Sequence, residues 1–404
     1  MNVVLKTFQC GLVPLCLIAA LPIWSSCGPA AGADNERVDF SRASSFDVIA
    51  REGEVHLLFG IDRDSPSFHY SRSADGGTTW RDPVELPTHH APPGRHHRGN
   101  DPQLAVAGQQ VFAVWTAAGE GPWGSGPLAM AHSDDGGRSW HPSPAPRATT
   151  EEVGFRFPAI AADDRGLHAI WIHAEGDERS LRHARRDIGA EEWSVPKVID
   201  PHICACCWNR LEVAGDGTLV ALYRDHAPSD MALAVSEDRG QTWEKRGHVG
   251  RFDWDFQGCP HVGGGLALGT NGDLFATVWS GHEEHTGAYL MRSDNLGKSW
   301  LPEPPAGETF RPGRHTDVAV PDAERVIMTW DQPADRGKRA VLCVVSDDGG
   351  RTWNAPRPLS EPGEHATHPR LAAWEDGALV LWSGRDATGE PMTHRKRLEL
   401  PARD

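Results

Sequence analysis

Ser346-Asp347-Asp348-Gly349-Gly350-Arg351-Thr352-Trp353 decides the fold, because near copies stand at Ser73 to Trp80 (SADGGTTW), Ser133 to Trp140 (SDDGGRSW), Ser236 to Trp243 (SEDRGQTW) and Ser293 to Trp300 (SDNLGKSW). Five copies in one chain exclude chance. Each residue has a reason to be there: Ser and Asp side chains bond nearby backbone N–H groups, Gly takes positive φ, and Trp fills space between neighbouring sheets. These residues are structural and nominate no chemistry.

Outward from each copy a longer module repeats. A short apolar stretch turns at Gly or Asp-Gly, returns as a β-rich stretch ending in an aromatic, and runs through a third strand into the next copy. Asp101 to Trp115 (DPQLAVAGQQVFAVW) and Pro369 to Trp382 (PRLAAWEDGALVLW) are examples. The closing aromatics are Phe59, Trp115, Trp171, Tyr223, Trp279, Trp330 and Trp382, at spacings of 51 to 56 residues. Modules of four short strands without helical periodicity predict an all-β propeller of four-stranded antiparallel blades. The count favours seven blades, with six as the alternative if the last module is incomplete, and 36–42 is expected to supply the strand that closes the last one. The period also explains most of the 16 Trp residues, leaving Trp123, Trp208, Trp254 and Trp374 outside the repeat and its leader.

Residues 1–33 read as a signal peptide, with Ala31-Gly32-Ala33 as one exit and the lipobox-like Trp24-Ser25-Ser26-Cys27 as the other. Residues 34–404 then form one propeller domain, extracytoplasmic, monomeric, and tied to a membrane only through a lipid on Cys27. A net charge of −16 with no Lys/Arg-rich run argues against a nucleic-acid partner.

The repeated octapeptide resembles the Asp-box (BNR repeat) of the sialidase superfamily, and Phe155-Arg156-Phe157-Pro158 resembles the F/Y-R-I-P motif of sialidases. In such a blade the Asp-box lies on one face, and residues before a first strand or after a second strand lie on the opposite face near the axis. The resemblance implies an acidic glycan as ligand and three arginines gripping its carboxylate, for which Arg156, Arg210 and Arg370 are candidates, with Trp123 and Trp208 placed to stack on a sugar. Sialidase-type hydrolysis takes a Tyr nucleophile activated by Glu. Tyr223 is the candidate nucleophile, expected opposite Arg210 with Glu212 beside it, and Asp101 or Asp47 is the acid/base. Sialidases have six blades, which counsels against copying their activity wholesale.

A second constellation is independent of that resemblance. Cys204-x-Cys206-Cys207 and Cys259 precede adjacent first strands, with His261 two residues beyond Cys259. Outside the cytoplasm these cysteines pair across blades as disulfides; reduced, they and His261 would hold Cu or Zn. Cys343 reads as a buried inert thiol. Three functions stay open: binding and hydrolysis of an acidic glycan or carboxylate ligand, metal binding, and a non-enzymatic interaction scaffold.

Overall fold

The computed structural model describes residues 39–62, 66–94, 96–146, 154–302, 310–386 and 388–400, so the expected signal peptide, with Cys27, lies outside the described residues. Seven antiparallel sheets follow one another along the chain, five of four strands and two, the fifth and seventh, of three. Their innermost strands are Ser45–Arg51, Gln103–Ala107, Gly154–Ala162, Arg210–Val213, Gly265–Leu268, Arg314–Ala319 and Thr367–Trp374. All seven closing aromatics fall in second strands, six of them buried and Trp279 half-buried.

Alternation along these strands puts apolar side chains on both faces of every sheet, and each face packs on the next blade. Val111, Ala113 and Trp115 of blade 2 meet Leu58, Phe68 and Tyr70 of blade 1, while Ala372, Leu379 and Leu381 of blade 7 meet Phe46, Leu57 and Phe59. The ring therefore closes with seven blades. Of the stretch 36–42 expected to close the last blade, 36–38 lie outside the described residues and 39–42 do not supply a strand. Phe40–Arg42 form a single 3-10 turn that seals the junction, with Thr393 Oγ1 donating to Ala43 O (3.0 Å) and Phe40 packed on Trp80.

Each Asp-box connects a third strand to the outer edge of its blade. In blade 2, Ser133 Oγ donates to Asp135 Oδ1 (2.8 Å) and accepts from Gly137 N (2.8 Å), while Asp135 accepts from Ser139 N (2.9 Å) and Ser139 Oγ (2.7 Å). Asn295 takes the Asp role in blade 5, its Oδ1 accepting from Ser299 N at 2.9 Å. Gly137 has φ +81°, and a Cβ there would lie 1.9 Å from the Tyr70 ring of blade 1, so the close approach of blades demands glycine. Gly136 N donates to Gln109 O in the turn between first and second strands (2.9 Å), so box and first turn share one face. The residues before the first strands stand at the other end.

Candidate functional site

Three inner strands start irregularly at the same level. In blades 3, 6 and 7 the pairing with the second strand slips by one residue, between Arg156 and Ala159, between Arg314 and Asp317, and between Thr367 and Arg370. Each bulge holds a non-glycine residue in left-handed backbone: Phe157 (φ 49°), His315 (φ 46°) and His368 (φ 52°). Such a residue costs about 1–3 kcal/mol and re-aims its side chain, here toward the propeller axis. His261, ahead of the first strand of blade 5, is left-handed as well (φ 57°).

The aim of these side chains assembles an aromatic and imidazole plug. The rings of His315 and His368 stack with centroids 3.6 Å apart, and Trp208 flanks both at 6.1 Å. His315 Nδ1 is 2.7 Å from Oδ2 of the fully buried Asp331, which also accepts from Thr367 Oγ1 and His368 N. That contact makes Nδ1 the protonated nitrogen and leaves Nε2 an acceptor. Burial lowers both imidazoles below their ordinary range, so they are neutral at pH 7. A carboxylate-held neutral imidazole is equipped for proton transfer.

Arg98, Asp101, Arg210 and Arg370 line the axial pocket with Trp208, His315 and His368. Its free space suits about one ordered water, too little for a sugar ring. The charges around it are already paired. Arg98 Nε meets Asp101 Oδ1 at 2.9 Å and lies 3.7 Å over the Phe46 ring, while Arg370 bridges Asp47 and Asp317. Arg210 approaches Asp317 at 3.9 Å. The carboxylates also stitch blades together: Asp101 accepts from Phe46 N, Asp47 from Leu104 N and Asp317 from Leu371 N, each across a blade boundary. Asp47 and Asp101 are therefore anchors of the ring rather than free acids, and Arg210 and Arg370 already hold carboxylates of the chain itself.

Tyr223 does not reach the mouth. The register pairs Arg210 with Leu222 and Glu212 with Val220, so Tyr223 lies on the other face of the sheet from both. It is fully buried among Phe157, Ile172 and Leu211, with its hydroxyl donating to Asp200 Oδ2 (2.8 Å). Burial beside that carboxylate raises the phenol far above its usual range. Glu212 faces the channel instead, where burial, with Asp47 and Asp317 nearby, pushes its carboxyl up to about 7. A one-residue difference in hairpin register thus separates the expected nucleophile from its expected base. Trp208 is also no sugar platform, being buried with its indole N–H donating to Gly264 O (3.0 Å).

Trp123 and Arg156 behave differently. Trp123, in left-handed backbone (φ 61°), is 64% exposed, which makes it the most exposed aromatic among the large side chains of the described residues. The Arg156 guanidinium lies 4.4 Å and that of Arg179 5.6 Å from its ring centroid. Among the described residues Arg156 meets no carboxylate and donates only to Ala205 O (3.3 Å). Burial, with Arg179 adjacent, pulls it down to about 10, so it stays cationic at neutral pH. Here are one open aromatic face and two guanidiniums beside the axial mouth. Arg179 lies in a third strand, where the repeat gave no reason to look. His315 and His368 carried a readable signal, since they stand 53 residues apart, each as the second residue of an inner strand.

Cys206 and Cys259 form a disulfide between the loops that lead into blades 4 and 5, with Cα atoms 6.0 Å apart. The pairing removes two of the four sulfurs from the expected metal set. His261, the fifth member, keeps a ring nitrogen within 4.8 Å of both disulfide sulfurs, and its ring lies tilted against His97 (5.2 Å) and edge-on to Phe157 (5.9 Å). Cys204 and Cys207 remain thiols, buried beside the disulfide. Burial opposes ionisation of Cys207, but its contacts with Cys204 and the Arg224 guanidinium outweigh that and bring the thiol below its ordinary range. Cys343 is a buried free thiol that accepts from Arg357 Nε (3.2 Å).

Residues 174–403, more than half of the chain, match the family described as BNR repeat-like domain, and the chain belongs to it. With seven blades and five Asp-boxes it is a propeller of the sialidase superfamily. Among solved structures it is similar to YCF48 bound to a D1 peptide, at 17% identity and TM-score 0.51, over 89% of this chain and 93% of that one. It is also similar to the polysaccharide lyase Uly1, at 10% identity and TM-score 0.52, over 89% and 90%. A leech intramolecular trans-sialidase complexed with 2,7-anhydro-Neu5Ac gives 14% identity and TM-score 0.48, over 89% and 69%. Likeness at these identities concerns the fold alone. No curated protein matches the sequence.

Proposed function

We propose that this protein is an extracytoplasmic glycan-binding propeller that takes an acidic sugar at the Trp123–Arg156–Arg179 corner of the axial mouth, without sialidase-type hydrolysis. The observation that carries the reading is Arg156, a cation without a carboxylate partner among the described residues, packed on the face of an exposed Trp. A sugar ring would cover the free part of the indole while its carboxylate meets the two guanidiniums, a division of labour suited to Trp and Arg. Hydrolysis is left out because Tyr223 is buried away from Glu212 and its hydroxyl is committed to Asp200.

Calorimetric titration of the purified propeller with sialyllactose, uronate oligosaccharides and neutral lactose tests the reading. Saturable binding of at least one carboxylated glycan is expected, with none for lactose. Trp123→Ala and Arg156→Met should each weaken it about tenfold or more, in keeping with a stacked or charge-assisted contact. Absence of binding to every carboxylated glycan overturns the proposal, and phenol release from a fluorogenic sialoside overturns its non-hydrolytic half.

A further inference from the structure

Cys204, Cys206 and Cys207 form a sulfur triangle whose edges are 3.6 Å (Cys204 to Cys206), 3.8 Å (Cys204 to Cys207) and 4.0 Å (Cys206 to Cys207). One corner, Cys206, is oxidised, bonded to Cys259 of the neighbouring blade, and the other two are thiols. In sequence the two thiols bracket a Cys-x-x-Cys unit, Cys204-Ala205-Cys206-Cys207, the spacing of dithiols that cycle between reduced and disulfide forms. Burial divides the four sulfurs into an inside and an outside. Cys204, Cys206 and Cys207 are at most 8% exposed, whereas Cys259 belongs to an exposed residue on the mouth side of blade 5. The Arg224 guanidinium, itself buried, lies near Cys207 and donates to the backbone carbonyls of Val262, Ser229 and Trp279.

We propose that these four cysteines are a thiol–disulfide relay, in which the buried Cys204/Cys207 pair opens the cross-blade Cys206–Cys259 bond and presents Cys259 to solvent as a thiolate. The inference is independent of what the mouth binds. In the first step the Cys204 sulfur, 3.6 Å from Cys206, attacks it, the Cys204 proton passing to water. The Cys204–Cys206 bond forms, the Cys206–Cys259 bond breaks, and the electron pair leaves on Cys259. In the second step Cys207, giving up its proton to water, attacks Cys204, forming Cys204–Cys207 and releasing Cys206 as thiolate. One disulfide is present before and after, so no outside oxidant or reductant is consumed. The substrate class is a low-molecular-weight disulfide reaching the mouth: the Cys259 thiolate attacks one of its sulfurs, forms a mixed disulfide and expels the other half as thiolate.

The test uses the full chain exported to an oxidising compartment, with thiols mapped by mass spectrometry. The protein is held with glutathione disulfide and no reductant. Expected is a glutathione adduct on Cys259, growing as the Cys206–Cys259 crosslink disappears and a Cys204–Cys206 or Cys204–Cys207 crosslink appears. Cys204→Ser should stop adduct formation, and Cys207→Ser should halt the relay at the Cys204–Cys206 crosslink with loss of the Cys204–Cys207 one, since the second step loses its attacking sulfur. The wild-type mapping stands without either variant, should one fail to fold. An unchanged Cys206–Cys259 crosslink with no Cys259 adduct overturns the relay. So does protein that leaves the compartment with two stable crosslinks, or with zinc or copper on four reduced cysteines.

Discussion

Ser133 with Asp135, and Asn100 with Asp101, are short polar residues at opposite ends of blade 2, yet they are used in contrary ways. Ser133 and Asp135 bond only within the octapeptide, over at most four residues. Asn100 and Asp101 reach other blades, to Phe157 N and Phe46 N, over separations of 57 and 55 residues. The first arrangement is complete within one repeat and is copied around the ring. The second depends on a specific neighbour and varies around the ring: Arg370 joins Asp47 across the ring closure, and His315 leans on Asp331 of its own blade. Where polar groups satisfy one another locally they report only the fold. They depart from the repeat at left-handed residues and at an Arg156 that meets no carboxylate among the described residues, the corner proposed above as the ligand site.

Two tryptophans break this comparison most sharply. Trp171 closes the second strand of blade 3 and is fully buried among Phe155, Val114 and Leu167. Trp171→Ala should cost about 3–5 kcal/mol of stability through the cavity it leaves. Trp123→Ala, at an exposed aromatic, should stay within about 0.5 kcal/mol while removing glycan affinity. Chemical denaturation of both variants checks this. Loss of stability in the second would make Trp123 another packing residue.

Asp47 comes next. It accepts Leu104 N at 2.9 Å and pairs with Arg370, and both charges are buried. Asp47→Ala leaves Arg370 with only the longer 3.5 Å contact to Asp317, and should cost about 3 kcal/mol. A variant as stable as wild type would show that ring closure rests on the apolar interfaces alone, leaving Asp47 free for chemistry.

These examples also mark what the sequence could and could not carry. The blade count was legible because a propeller repeats one local pattern: the octapeptide is fixed by hydrogen bonds inside each module, and the strand-closing aromatic recurs because it fills the same space between neighbouring blades. The site was legible only as a face. Arg156, Trp123 and the cysteines were placed on it by strand order, but Tyr223 and Glu212 were separated by a single step of register, which alternation turns into opposite faces of a sheet. The pairing of Asp47 with Arg370 spans 323 residues and has no local signature. Arg179 fell outside the pattern because nothing in a third strand announces a neighbour on the mouth.

The smallest effect concerns Glu212, the one carboxyl of the expected catalytic pair that does face the axis. Burial, with Asp47 and Asp317 close by, raises it from 4.5 to about 7 in the folded chain. The folded state therefore holds this proton more tightly than the unfolded chain does. Its contribution to stability is fully present below pH 4.5 and is lost as pH rises through about 7. Glu212→Gln keeps the shape without ionising, so it should match wild type near pH 4.5 and exceed it by about 1–2 kcal/mol at pH 8, the low end of what a shift of this size implies for a side chain with part of its surface open. Urea midpoints across that range measure it. If the two curves run parallel, Glu212 is an ordinary solvated carboxylate, and the channel is wetter and wider than the packing of Asp47, Asp317 and Arg370 implies.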